Sequence, residues 1–167
     1  MEIDKIDTLQ EKYLDYKEKN DKFGMIHSLK NIGIKLSKTQ PSRAVESFKK
    51  ALYLMKNIQL ENQDEELKVK SLRSEILFDI GIVYHKMRKN KKAIKSLIEA
   101  DLLSKEVGNS VLTAAIASSI ISIKSQERYD GVSRENRVKS RFKHMWLYFL
   151  LSVIPWIILI VLLFLII

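Results

Sequence analysis

The chain has 167 residues, 29% of them charged and 46% hydrophobic, and its five Gly and two Pro leave little material for turns or sheets, so an all-α fold is expected. The absence of Cys excludes disulfides, thiolate metal sites and a Cys nucleophile. The formal charge of +9 does not single out nucleic acid as a partner, because residues 128–144 alone hold six Lys or Arg against Asp130 and Glu135.

In chain order, residues 3–19 carry Ile6, Leu9, Tyr13 and Tyr16 at helical spacing, and the opening MEIDKIDTLQEKY has no apolar core of signal-sequence length. Lys19-Asn20-Asp21 reads as a turn. Ile26, Leu29, Ile32 and Leu36, with Gly33 beside them, predict a second helix. A break at Thr39-Gln40-Pro41 follows, with Pro41 suited to a first helical turn. Ala44, Phe48, Ala51, Leu52 and Met55 then form one apolar stripe, with Glu46, Lys49 and Lys50 on the wet side.

The turn-like tracts Asn62-Gln63-Asp64 and Val107-Gly108-Asn109 resemble the first, and Asp or Asn suits both a helix stop and the next N-cap. Between them lie Leu77, Ile80, Gly81 and Tyr84, a basic turn from Arg88 to Lys92, then Ala93, Leu97, Ala100 and Leu103. Residues 110–127 form a further helix in which Ser118, Ser119, Ser122 and Ser125 are expected at a helix crossing. Tyr129-Asp130-Gly131-Val132 is expected to break the helix and Ser133 to cap the next.

Arg134, Arg137, Lys139, Arg141 and Lys143 come next, against Glu135 alone. From Met145 to Ile167 there is no charge, and 23 residues at about 1.5 Å each make a helix of about 34 Å, enough to cross a hydrocarbon core of about 30 Å. Pro155 is expected to kink that helix, and a re-entrant segment is the alternative. Basic flanks stay cytoplasmic, and Trp146 and Tyr148 fall at the same edge, so residues 1–144 are expected to face the cytosol. The arrangement resembles that of tail-anchored proteins. The five cations are expected to meet anionic lipid headgroups.

Two stretches carry a family resemblance. In LFDIGIVYHKMRKNKKAIKSLIEADLL, Gly81 and Tyr84 stand at the small and aromatic positions of a first helix, and Ala93, Leu97 and Ala100 at the small, bulky and small positions of a second. In NIGIKLSKTQPSRAVESFKKAL the counterparts are Gly33, Leu36, Ala44, Phe48 and Ala51. The chain thus resembles the tetratricopeptide repeat family in its long-helix form, with Leu36 in place of the usual aromatic. The resemblance implies antiparallel helix pairs stacked as repeats over 1–127, a basic juxtamembrane linker over 128–144 and a transmembrane helix over 145–167. A plain helical bundle is the alternative.

The resemblance also implies a concave face lined by first helices, where a protein or peptide partner lies. The matching positions are Lys30, Ile34, Phe78, Ile82, His85, Lys86, Ser118 and Ser122, a mixed apolar and basic set. The family's clamp for acidic C-terminal peptides is disfavoured, because Ile34 and Asp79 stand where Asn is expected.

No catalytic constellation is found. His27, His85 and His144 lie far apart without ligand spacing, and the five glycines stand alone rather than in a phosphate loop. Neither a cofactor nor a metal is expected. The reading is a membrane-tethered adaptor that recruits a cytosolic partner. A structural subunit of a membrane complex, acting through 145–167, is the alternative. The missing basic residues after the span favour an ER-type or prokaryotic plasma membrane over the mitochondrial outer membrane.

Overall fold

The computed structural model describes the backbone of residues 3–60 and 62–166, and side chains over 6–60 and 62–133 and at 135, 138–142, 145, 146 and 148. Six helices follow one another: α1 (Ile3–Glu18), α2 (Lys22–Thr39), α3 (Pro41–Lys56), α4 (Gln63–Lys86), α5 (Asn90–Glu106) and α6 (Ser110–Ile166). Among the described residues there is no strand. The chain divides into two units, Met1–Ile123 and Lys124–Ile167.

The helix boundaries follow from local chemistry. Asp21 accepts a hydrogen bond from the Gly24 N–H at 2.9 Å, Asn62 from Glu65 N–H at 2.9 Å and Asn109 from Leu112 N–H at 3.0 Å. Each satisfies an N–H that the helix itself cannot. All three turn-like tracts read from the sequence therefore hold a helix cap. Pro41 opens α3 without losing a hydrogen bond.

Three turns share one closure. The N–H groups of Asp21, Lys89 and Asn109 donate to the carbonyls of Tyr16, Tyr84 and Ser104, five residues back. The residue before each donor lies in the left-handed region, Asn20 at φ 53°, Arg88 at 60° and Gly108 at 70°. This is the Schellman closure of a helix C-terminus.

The expected break at Tyr129–Val132 is not there, since α6 runs through it. Gly131 in a helix costs about 1 kcal/mol relative to Ala but keeps its N–H, and no proline lies nearby to remove a hydrogen bond. A lone glycine is too weak a breaker.

Within the first unit, α2 packs on α3 and α4 on α5, α1 covers α2, and α3 meets α4. One core joins Ile26, Leu29, Ile32, Leu36, Ala44, Phe48, Ala51, Met55, Val69, Leu72, Ile76, Ile80 and Val83, with Ile6, Leu9 and Tyr13 packed against it. A second joins Leu77, Ala93, Leu97, Ala100, Ile116 and Ile123. Phe48 and Leu97 are fully buried, and each such side chain contributes roughly 1.5–3 kcal/mol.

The two helix pairs repeat one contact. A Cβ on Gly33 would stand 2.6 Å from the Phe48 ring, and one on Gly81 would stand 2.7 Å from Leu97. Glycine in the first helix admits the bulky residue of the second.

Among the described residues no helix is long and apolar enough to cross a membrane. The backbone of the expected span, 145–167, continues α6 as far as Ile166, and its side chains are described only at Met145, Trp146 and Tyr148, all exposed. α6 runs through Pro155, so the proline does not break the helix there, and its side chain lies outside the described ones.

Candidate functional site

The α2 and α4 helices lie side by side through one ion pair. Lys30 Nζ donates to Glu75 Oε2, and the lysine is the more covered partner, with its side chain 18% exposed against 39%. Asp79 lies one turn along the same face of α4. Burial pushes its carboxyl up to about 6, and Glu75 adds to the rise while Lys30 opposes it. The lysine is therefore already engaged by carboxylates of its own chain. Lys30, one of the expected partner-face positions, thus carries its charge in an ion pair with Glu75.

Around this trio the other predicted residues fall into place unevenly. Ile34, one turn beyond Lys30 on α2, is 42% exposed. Ile82 is half-buried, and Phe78 is half-buried against the second core. Near the end of α4, His85 Nδ1 and Asn90 Oδ1 stand 3.0 Å apart across the turn, and Lys86 is exposed.

Ser118 and Ser122 are exposed on α6, where Ile116 and Ile123 take the buried positions instead. The expected helix crossing at the serines is overturned, because the larger apolar side chains win the core. Ser119 is half-buried and its hydroxyl donates to the Ala115 carbonyl at 2.9 Å, so its polarity is met within the helix. Of the eight predicted residues, Lys30, Ile34, Phe78 and Ile82 belong to the adjoining α2 and α4 faces. His85 and Lys86 extend that face to the end of α4.

Of the predicted membrane-flanking cations, Lys139 pairs with Glu135 at 2.8 Å and Arg141 is exposed. The side chains of Arg134, Arg137 and Lys143 lie outside the described residues.

Sequence reasoning missed the carboxylates that answer Lys30. The signal was present: Glu75 and Asp79 are four apart, on one side of a helix whose next turn carries the predicted Ile82. It also missed Arg73, which reaches Glu99 of α5 at 2.7 Å and keeps its Nε buried without a partner.

No family model, curated protein or solved structure matches the chain. Among the described residues no group of three or more potential metal ligands converges. A cleft of about 350 Å³ beside α1 and α3 is lined by Tyr13, Leu29, Glu46, Lys49, Lys50, Tyr53 and Leu54. Its Glu46 and Lys50 pair with each other at 3.6 Å. The arrangement at the α2 and α4 faces is a charged trio flanked by apolar side chains.

Proposed function

We propose that the protein is a membrane-tethered interaction module: a tetratricopeptide-like domain over residues 1–127 that holds a protein partner, joined through basic residues 128–144 to a membrane helix over 145–167. The observation that carries this reading is the repeated contact of Gly33 with Phe48 and Gly81 with Leu97. It makes two equivalent helix pairs of α2/α3 and α4/α5, and leaves a face of first helices with Ile34, Ile82 and Lys86 partly or fully open to solvent. Such a face suits an amphipathic or extended peptide with apolar anchors. The uncharged stretch 145–167 supports the tether.

Because Lys30 is paired with Glu75, the partner's acidic groups have Lys86 rather than Lys30 to meet. A photocrosslinking residue placed at Ile34, Ile82 or Ser118 of the full chain in its native membrane tests the reading. One common adduct from Ile34 and Ile82, absent when the same group replaces exposed Lys49 on α3, is expected. Equal labelling from both sides removes the case for a recognition face.

A second reading, a structural subunit acting through its membrane helix, rests on the dense Ile and Leu content of 157–167. Replacing 145–167 with an unrelated span separates the two. Retained partner crosslinking favours the tether, and lost assembly favours the subunit.

A further inference from the structure

Two acid-free runs of positive charge in the first unit lie at one edge. Between Ile34 and Val45 the chain carries Lys35, Lys38 and Arg43 with no acid, and between Ile80 and Ile98 it carries Lys86, Arg88, Lys89, Lys91, Lys92 and Lys95, again with no acid. All nine are exposed. They surround two turns, the one from α2 to α3 and the one from α4 to α5.

Those turns share an edge. Lys30 is nine residues before the end of α2 at Thr39, and its partner Glu75 is eleven before the end of α4 at Lys86. Since α3 returns from α2 and α4 reverses α3, the two first helices run the same way and end at nearly the same level.

The opposite edge is different in kind. Three of its lysines are neutralised in place: Lys19 by Asp15 at 2.8 Å, Lys105 by Asp101 at 2.6 Å, and Lys70 by both Glu66 at 2.9 Å and Glu106 at 3.2 Å. Among the nine cations of the basic edge, Arg88 aside, none is held by a carboxylate. Arg43 donates to the Gln40 side chain at 2.6 Å, and Lys92 lies over the Tyr84 ring at 5.9 Å, contacts that leave the charge in place.

The first unit also ends at this edge. Ser104 and Thr113 meet at 2.9 Å across the tight α5–α6 turn, so residues equally far from that turn stand level. Ile123, ten residues beyond Thr113, is then level with Ile94, ten before Ser104, and both belong to the second core.

We propose that this edge docks on an anionic phospholipid surface, so that the first unit lies against the bilayer that tethers it. Clustered Lys and Arg that approach an anionic bilayer are drawn to its headgroups within about a Debye length, and the attraction weakens with salt. The proposal rests on the membrane-tether reading and is tested separately from it.

The native chain has no Cys, so single labels are simple to place. A fluorophore at Ser42→Cys reports the basic edge and one at Gln59→Cys the opposite edge, both positions exposed. The full chain is reconstituted in vesicles of phosphatidylcholine alone or with 30% phosphatidylglycerol, with a headgroup quencher in the lipid. Flotation with both vesicles is expected from the tether. Quenching at position 42 is expected only with phosphatidylglycerol, and it should fall as salt is raised from 0.05 to 0.5 M, with position 59 unquenched throughout.

Changing Lys89, Lys91, Lys92 and Lys95 to Gln should shift the docked-to-free ratio at least about tenfold, with helicity and flotation unchanged. Failure to float from either vesicle overturns the tether reading and this proposal with it. Flotation with equal quenching at 42 and 59, or with none at 42, overturns the docking alone. Protection of position 42 by a DNA duplex or by polyglutamate, without a response to phosphatidylglycerol, overturns it in favour of another anionic partner.

Discussion

Asp79 is held where its charge is unwelcome. Its folded pKa of about 6 lies above the ordinary 3.8, so between those values the folded chain keeps a proton that the unfolded chain has released. Stability from this group is therefore full below about pH 3.8 and is lost as pH rises through 6. A shift of two units has a ceiling of about 3 kcal/mol, and remaining solvent contact with loss of the Lys30 attraction brings the realistic effect to about 1 kcal/mol. Asp79→Asn should therefore stabilise residues 1–123 by about 1 kcal/mol at pH 7.5 and leave them unchanged at pH 3.5, read from urea midpoints at constant slope. A variant equally affected at both pH values would place the burial cost elsewhere. Glycine gives a second residue-level prediction. Gly33→Ala and Gly81→Ala gain about 1 kcal/mol of helix propensity but drive a methyl into Phe48 or Leu97, and overpacking of about 1–3 kcal/mol should win. Gly131→Ala meets nothing within 4 Å and should slow amide exchange locally in α6 instead.

At the scale of elements, the three Schellman turns separate what sequence reveals from what it hides. Asn20 and Gly108 are residue types that accept positive φ, and their tracts were legible as turns. Arg88 occupies the same position at φ 60° with no such preference, so only the charge run around it marked the turn. Arg88→Gly should raise stability by about 1 kcal/mol and Gly108→Ala should lower it by a similar amount, both read from thermal unfolding of residues 1–123. If Arg88→Gly destabilises instead, the arginine's own contacts outweigh its backbone strain. The apolar stripes of α2 to α5 were legible because helical period and burial coincide, Ile26 to Leu36 and Ala93 to Ala100 alike. In α6 they were not. Ala114, Ala115 and Ala117 are exposed, and among the described residues of α6 only Ile116 and Ile123 are deeply buried, so small size misled where bulk decided. The Lys30, Glu75 and Asp79 trio was hidden for another reason, since it joins residues 45 apart in sequence and pairing across elements has no local period.

For the whole molecule, two basic groups do different work in the proposed tether. The edge cations end at Lys95, 50 residues before Met145, beyond the 15–20 residues over which flanking charge sets orientation. Arg134, Arg137, Lys139, Arg141 and Lys143 lie within that distance. Changing these five to Gln should therefore loosen the orientation of the inserted chain, while changing the edge lysines should not. The first unit should stay folded in both, because none of the five belongs to either of its cores. Protease protection on sealed membranes reads the orientation directly, and circular dichroism reads the fold. The parent should leave residues 1–123 open to protease on the cytosolic side. The five-fold Gln variant should show a protected fraction, growing further when Trp146 and Tyr148 are also replaced, since aromatic rings anchor the same boundary. A variant that inserts in one orientation as strictly as the parent would mean that these cations do not set topology, and the cytosolic placement of the recognition face would lose its support.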